Sequence, residues 1–466
     1  MALNWRNKKV IIIGAARQGL ALARYLALHN AQVTINDRRP AVELRDEMEA
    51  LAKFSVTWAV GGHDPQIATG AQAVFVSGGV PLENPIVRAA RQQGILVSND
   101  TQVFMQAVPC KTIGITGSAG KTTTTTLVGR MAQVGSSGLY GRSWIGGNIG
   151  DPLINYVDEM QPSDLAIMEI SSFQSELLTN APDVAAILNI TPNHLDRHGT
   201  MENYIAAKAN VVRHQTESGI AILGRDDPGA WGLASEARGK LFSFGFSSLH
   251  EGMDGAYLED GLFFIRDHGQ VIPLPVADVI ELRGEHNRLN VLAACMIAHA
   301  AGLSPEAMRE GIRGFRGVPH RLEFVRTWRG AQWYNDSMAS APERTIAAIR
   351  SFDGPLILLL GGRDKDLPWE DLAKLVHQRV DHVVLFGEAA GKIEAALGVR
   401  IPGNRPFSQV RVNTLKEAVL AASRVAQPGF VVLLSPGGTS FDEFKDFAER
   451  GERFTEWVLE FSETLR

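Results

Sequence analysis

Short apolar runs rich in branched residues, each stopped by glycine or a polar residue, recur along the chain. They alternate with segments whose apolar residues fall at helical spacing, the pattern of parallel strands buried on both faces and joined by helices. Residues 8–14 read as the first such strand, 18–30 as a helix, and 32–36 as a second strand ending at Asp37. Residues 73–77 and 95–97 predict two more, and Gly78 and Gly79 open a loop after the first of these. A strand ending at Ile115, a turn and an amphipathic helix through 127–132 follow. Residues 164–170 and 184–190 are again apolar strands, and 201–213 a helix. From 219 to 278 the period shifts toward alternation with Gly, Asp and Pro turns, which predicts a small antiparallel insertion. Residues 284–290 open a long apolar helix through Ala301. The strand-helix alternation then resumes, with strands over 356–360, 383–387 and 430–434 and another ending at 333–337.

At 466 residues the chain is long for one core. The breaks near Pro109 and Pro319 divide it into three expected α/β domains: 1–109, 110–318 and 319–466. The first and third are Rossmann-like, and the second is a phosphate-loop domain carrying the antiparallel insertion. A net charge of −5 argues against a general nucleic-acid binder. Cys110 and Cys295 fit no zinc or redox spacing and read as buried free thiols. No apolar run reaches membrane-spanning length, and the polar start predicts no signal peptide. The expectation is a cytoplasmic, monomeric enzyme or binding protein acting on small molecules.

The sharpest chemistry lies at residues 114–122, Gly-Ile-Thr-Gly-Ser-Ala-Gly-Lys-Thr, between the strand ending at Ile115 and its helix. Glycines let backbone N–H groups close around phosphate oxygens, and the helix N-terminus adds partial positive charge. Gly117, Ser118, Ala119, Gly120, Lys121, Thr122 and Thr123 are therefore the expected nucleoside triphosphate cradle. Lys121 reaches the phosphates in this reading, and the Thr122 hydroxyl holds Mg²⁺. The spacing departs from the usual one, because Ile115 stands where a glycine is standard. Glu169 ends a neighbouring strand, as does the acid that such sites turn toward the metal. His194 follows the end of another strand, and Lys208 lies on a helix. Asn287 and Asn290 share a helix face from which a base edge can be read, although Asn287 is also placed to cap that helix. The turn Gly14-Ala15-Ala16-Arg17-Gln18-Gly19, with Asp37 beyond it, has a dinucleotide-type layout that serves NAD or another nucleotide equally. Gly-Gly-Asn-Ile-Gly at 146–150 is too glycine-rich for an element interior and reads as a ligand-facing loop.

Taken together these segments resemble the Mur ligase family over essentially the whole chain. The most specific parts are 146–150, Glu-Ile-Ser-Ser-Phe-Gln at 169–174 and Asn-Ile-Thr-Pro-Asn-His-Leu-Asp-Arg-His at 189–198. Asn-Asp-Ser at 335–337 and Ser-Pro-Gly with Ser-Phe-Asp-Glu-Phe-Lys within 435–445 add to them. The resemblance implies an ATP-dependent ligase that joins D-glutamate to UDP-N-acetylmuramoyl-L-alanine through an acyl phosphate. It implies Lys121, Glu169, His194 and Lys208 as catalytic residues. Two Mg²⁺ ions are implied with them, held by Thr122, Glu169, His194 and a carbamylated Lys208. ATP contacts fall to the 117–123 loop, Asn287, Asn290, Arg321 and Asp336. The UDP-substrate falls to Gly14, Ala15, Ala16, Arg17, Gln18, Asp37, Arg39, Ser77, Gly79 and Asn148. D-Glutamate falls to Ser340, Lys365, Ser440, Phe441 and Phe447.

Two departures stand out. Ser118-Ala119 replaces the Thr-Asn usual in the family's loop, and Met338 and Ser340 replace a usual lysine and threonine. Met338 removes a positive charge near the reacting carboxylates. A sibling ligase using another amino acid is one alternative, and a non-catalytic nucleotide-binding homologue, favoured only by Met338, is another. An NAD oxidoreductase accounts for the first domain alone.

Overall fold

The computed structural model describes residues 4–135, 139–282, 284–364 and 367–461. It comprises two compact units, Met1–Phe315 and Arg316–Arg466.

The first unit holds two sheets. One consists of β1 (Lys9–Ile13), β2 (Gln32–Asp37), β3 (Val56–Val60), β4 (Ala73–Val76) and β5 (Leu96–Ser98), all parallel, in the order β3-β2-β1-β4-β5. The period-two geometry of a strand explains the unbroken apolar run of β1. Val10 and Ile12 enter one cluster with Leu22 and Leu26 of the following helix. Ile11 and Ile13 enter another with Val74, Val76, Ile86 and Val87.

The second sheet contains β6 (Lys111–Thr116), β7 (Ser143–Gly147), β8 (Leu165–Glu169), β9 (Val184–Ile187), β10 (Ile220–Gly224), β11 (Lys240–Gly245), β12 (Gly255–Glu259), β13 (Leu262–Asp267) and β14 (Gln270–Leu274). Their order is β14-β13-β12-β11-β10-β9-β6-β8-β7. The stretch 219–278 is thus not wholly an antiparallel insertion. Strands β10, β11 and β12 extend the sheet in parallel, and antiparallel pairing begins only between β12 and β13 and continues to β14. Burial explains the misreading, because Phe242 and Phe244 face inward from β11 and give it an alternating look within a covered sheet. The 146–150 segment also differs from expectation, since Gly146 and Gly147 are the last residues of β7, paired with Met168 and Glu169. A Cβ on Gly147 would lie 2.5 Å from the Glu169 carbonyl oxygen, so glycine there permits close strand approach.

The second unit contains one sheet of β15 (Glu323–Trp328), β16 (Ala331–Asn335), β17 (Leu356–Gly361), β18 (His382–Phe386), β19 (Ser408–Arg411) and β20 (Val431–Gly437). The order is β15-β16-β20-β17-β18-β19, parallel except for the β15–β16 hairpin. Leu356, Leu358 and Leu360 face one core cluster and Ile357 and Leu359 the other. Cys110 and Cys295 are both free and buried. Among the described residues no helix is long and apolar enough to cross a membrane.

Candidate active site

The β6 strand delivers the chain into a tight loop, and the helix Lys121–Gly135 begins directly after it. Gly120 has φ +82°, and a Cβ there would lie 2.2 Å from Asn290 Oδ1, so only glycine fits. The loop is tied to the chain leaving β9. Ser118 N donates to Asn189 O at 2.9 Å, Ala119 N to Asn189 Oδ1 at 2.8 Å, and Asn189 Nδ2 to Ala119 O at 3.1 Å. Ser118 Oγ donates to Thr191 O at 2.9 Å and accepts from Thr191 N at 3.0 Å. Its one proton is then committed, so the 2.9 Å contact with the Tyr204 hydroxyl has Tyr204 as donor. These anchors use main-chain atoms at Ala119, which explains how the loop keeps its shape without the usual asparagine side chain. Lys121 Nζ lies over the loop, donating to Gly117 O at 2.8 Å and Ser118 O at 3.3 Å.

Parallel registry brings the acidic group alongside. Glu169 at the end of β8 pairs with Ile115 on one side and Gly147 on the other. Its side chain is 2 % exposed. Asn148 Nδ2 donates to Glu169 Oε1 at 2.7 Å, and Oε2 is buried with no hydrogen-bond partner among the described residues. Lys208, 1 % exposed, reaches in from the helix Met201–Arg213, donating to Gly117 O at 3.0 Å and Thr116 Oγ1 at 3.2 Å. Its Nζ stands 4.9 Å from the Tyr204 ring centroid. Burial, and then the charge of Lys121, push its pKa well below 10.5, and Glu169 opposes them only in part. His194 lies on the exposed turn after β9, at φ +53°, with its ring 5.1 Å from that of Phe173. His198 stacks on the same Phe173 ring, at 5.4 Å and 12°, and shares a 3.0 Å hydrogen bond with Ser172 Oγ. Asn287 and Asn290 face each other, Asn290 Nδ2 donating to Asn287 Oδ1 at 3.2 Å. Asn290 thus abuts the loop itself.

The first sheet contributes its own edge. A Cβ on Gly19 would lie 2.0 Å from Gly14 O, so the turn closes on a bare helix start, and Ser77 Oγ braces it by donating to Gly14 O at 3.0 Å. Asp37 Oδ2 accepts from Ala15 N at 2.8 Å and Oδ1 from Arg39 N and Nε at 2.9 and 3.2 Å. Burial pushes the Asp37 pKa up, but Arg39 and the backbone donors outweigh it and hold the carboxyl below its ordinary value. Arg39 also donates to Glu47 Oε1 at 3.1 Å. Ala16 caps the helix Arg17–Leu28 in extended backbone, and Gln18 is half-buried in its first turn. Arg17 Nη2 donates to Asn148 O at 3.0 Å, joining this turn to the residue that holds Glu169. Gly79 is exposed on the loop after β4.

In the second unit, Asp336 follows β16 and is buried. Its Oδ2 accepts from Ser435 Oγ at 2.8 Å and its Oδ1 from Leu322 N at 3.2 Å. Burial pushes its pKa up to about 6. Arg321 is exposed beside it, Ser340 is half-buried, and Ser440 is buried just past β20. Phe441 and Phe447 are exposed, and Lys365 lies outside the described residues. Arg450 gave no signal in the sequence. It is fully buried and ties these ends together, donating to Ser337 Oγ, Ser337 O and Gly438 O at 3.0, 2.8 and 3.1 Å. Asn189 and Tyr204 were equally silent as loop anchors, although Asn189 begins a motif quoted above. A further group with metal-ligand spacing, Asp254, Asp267 and His268, is already bridged by Lys240. Its ammonium lies 2.5 Å from Asp267 Oδ1 and 3.0 Å from His268 Nε2.

Comparison with known proteins bears on this arrangement. Residues 8–99 match the Mur ligase MurD-like N-terminal domain, 115–298 the Mur ligase middle domain, and 320–438 the Mur ligase glutamate ligase domain. A UDP-N-acetylmuramoylalanine–D-glutamate ligase of Koribacter versatilis is 39% identical over 461 residues, covering 98% of each chain. The protein of the same name from Symbiobacterium thermophilum is 36% identical over 452 residues, 97% of this chain and 98% of its own. Among solved structures, a UDP-N-acetylmuramate-alanine ligase from Thermotoga maritima superposes with a TM-score of 0.53 at 18% identity, over 97% of this chain and 99% of that one. A MurF ligase of the same organism, in complex with ADP, gives 0.53 at 17% identity over 97% and 94%. These two likenesses concern the fold, a three-domain α/β architecture of parallel sheets. With near-full-length relatives above one-third identity and all three domains matched, the chain belongs to the Mur ligase family.

Proposed function

We propose that this protein is an ATP-dependent ligase that joins D-glutamate to UDP-N-acetylmuramoyl-L-alanine, a step in building bacterial cell-wall precursors in the cytoplasm. The observation that carries the D-glutamate reading is the near-full-length similarity to ligases of that name. The site supports the chemistry. In the first step a carboxylate oxygen of the muramoyl substrate attacks the γ-phosphorus of ATP, and ADP leaves. The amine of D-glutamate then attacks the acyl carbon, loses a proton, and phosphate departs with the carboxylate's former oxygen.

The first step brings two anions together, and this chain's residues are suited to oppose their repulsion. Lys121 and the loop at 117–123 would hold the phosphates, with Asn287, Asn290, Arg321 and Asp336 serving the rest of ATP. Glu169 Oε2, buried without a partner among the described residues, fits a cation. Thr122, Glu169, His194 and Lys208 would hold Mg²⁺ at two sites, and when bound the ions supply positive charge against which triphosphate and carboxylate can approach. The Lys208 amine, once unprotonated, would add to carbon dioxide and release a proton, becoming a carbamate anion that a dication attracts. Gly14, Ala15, Ala16, Arg17, Gln18, Asp37, Arg39, Ser77, Gly79 and Asn148 would bind the UDP-substrate. Ser340, Lys365, Ser440, Phe441 and Phe447 would bind D-glutamate. Domain limits at 1–109, 110–318 and 319–466 and a monomeric state complete the proposal.

The acyl phosphate is tested by labelling the muramoyl substrate's carboxyl group with heavy oxygen. Transfer of one labelled oxygen into the released phosphate is expected. Unlabelled phosphate, formed while amide accumulates, would contradict the mechanism.

A further inference from the structure

Besides Arg321, which precedes β15, a second guanidinium lies beside the turn from β16 into the helix Pro342–Ile349. Arg344 sits in the first turn of that helix, and its Nη1 donates to Met338 O at 3.2 Å. The guanidinium therefore lies over the residue that replaces the family's usual lysine. Arg344 and Arg321 are close enough to repel each other, and Asp336 and Glu343 are the acids that oppose this. The Asp336 oxygens already accept from Ser435 Oγ and Leu322 N.

Folding alone disfavours this placement. A cation in the first turn of a helix opposes the macrodipole, and a second cation beside it adds like-charge repulsion. Local arrangements that break such rules are expected where a ligand makes up the difference. Strand C-terminal ends of an open parallel sheet are where ligands bind, and Ser340 lies on the same turn.

We propose that Arg344 is a specificity-determining residue that binds a carboxylate of the incoming amino acid at the β16 turn, restoring from the helix the positive charge that Met338 lacks. The inference rests on the ligase reading above and deepens it for the amino-acid site. A guanidinium can grip a carboxylate through two parallel donors, so this chain should hold its amino acid with a geometry that a lysine does not reproduce.

The test compares Arg344→Gln, which keeps a donor for the Met338 carbonyl but no charge, with the double variant Arg344→Gln/Met338→Lys. Loss of a charge-assisted hydrogen bond predicts a KM for the amino acid raised about tenfold or more in the single variant, with the KM for ATP changed less than about twofold. The double variant should return to within about threefold of the parent, because the charge is restored from the neighbouring position. Unchanged amino-acid KM in Arg344→Gln, or a double variant no better than the single, would overturn the proposal. Should Arg344→Gln misfold, Arg344→Lys supplies the comparison, since it keeps the charge and is expected to lose only the second donor. The parent enzyme is assayed first against a panel of amino acids. Turnover with a different amino acid alone would refute the D-glutamate reading, and the same KM ratios, taken with that amino acid's α-carboxylate, still decide the role of Arg344.

Discussion

Asn148 holds Glu169 by two bonds, one from its side chain to Oε1 and one from its backbone to the Glu169 carbonyl. Truncating it removes the donor that fixes the carboxylate's orientation. Losing a hydrogen bond that orients a metal-binding carboxylate typically weakens metal affinity by about 10–100-fold, so Asn148→Ala should raise the Mg²⁺ concentration for half-maximal activity by about tenfold or more. A Mg²⁺ titration of activity checks it, and an unchanged midpoint would remove Asn148 from this role. Lys208 gives a second residue-scale prediction. Burial and the charge of Lys121 hold its pKa well below the ordinary lysine value, which favours the unprotonated amine that carbon dioxide needs. Carbon-13 bicarbonate should produce a protein carbamate resonance in the parent that is absent from Lys208→Arg, and that variant should be nearly inactive. The places of Glu169 and His194, each just at or past the end of an apolar strand, were legible in the sequence, whereas Lys208 stood out only through the family resemblance. The roles of Asn189, Tyr204 and Arg450 were not legible. Their bonds join positions 70, 86 and 113 apart, and nothing local marks such pairs.

At the scale of elements, the helix Asp100–Ala107 begins with a carboxyl buried between the two sheets of the first unit. Asp100 lines one small cavity with Gly19 and Ser77, and a second with Gly147 and Glu169. Burial pushes its pKa from 3.8 up to about 6, against hydrogen bonds from Thr101 and Gln174. The native state thus binds this proton more tightly than the unfolded chain. The stability it contributes is complete below the unfolded value and lost as pH rises through about 6. Asp100→Asn cannot ionise, so its melting temperature relative to the parent should rise by a few degrees between about pH 5 and about pH 8. Parallel shifts of both proteins would contradict the assignment. Elements with apolar runs, such as β1, β8 and β17, were readable from sequence because burial on both faces leaves little polar interruption. Two kinds escaped. Val56–Val60 and Ser408–Arg411 are half-exposed edge strands with mixed faces, and β7 ends in two glycines whose fit depends on the neighbouring strand.

At the scale of the whole molecule, the three sheets each carry their proposed site residues at strand C-terminal ends. Glu169 ends β8, the phosphate loop follows β6, Asp37 ends β2, and Asp336 follows β16. The three-domain α/β architecture was evident from the repeated strand-helix alternation, and the family from motifs spread over 146–198 and 335–445. The extent of the central sheet was not, because pairing partners of β10 to β14 cannot be told from a change of period alone. Amino-acid identity lies furthest from the sequence, since it depends on a few carboxylate contacts of which one, Arg344, replaces a residue type at another position. The central claim is therefore tested most directly by phosphate release from ATP and Mg²⁺ in the presence of UDP-N-acetylmuramoyl-L-alanine, with each of several amino acids supplied in turn. Release that requires D-glutamate is predicted. Release driven by another amino acid, or by none, would contradict it.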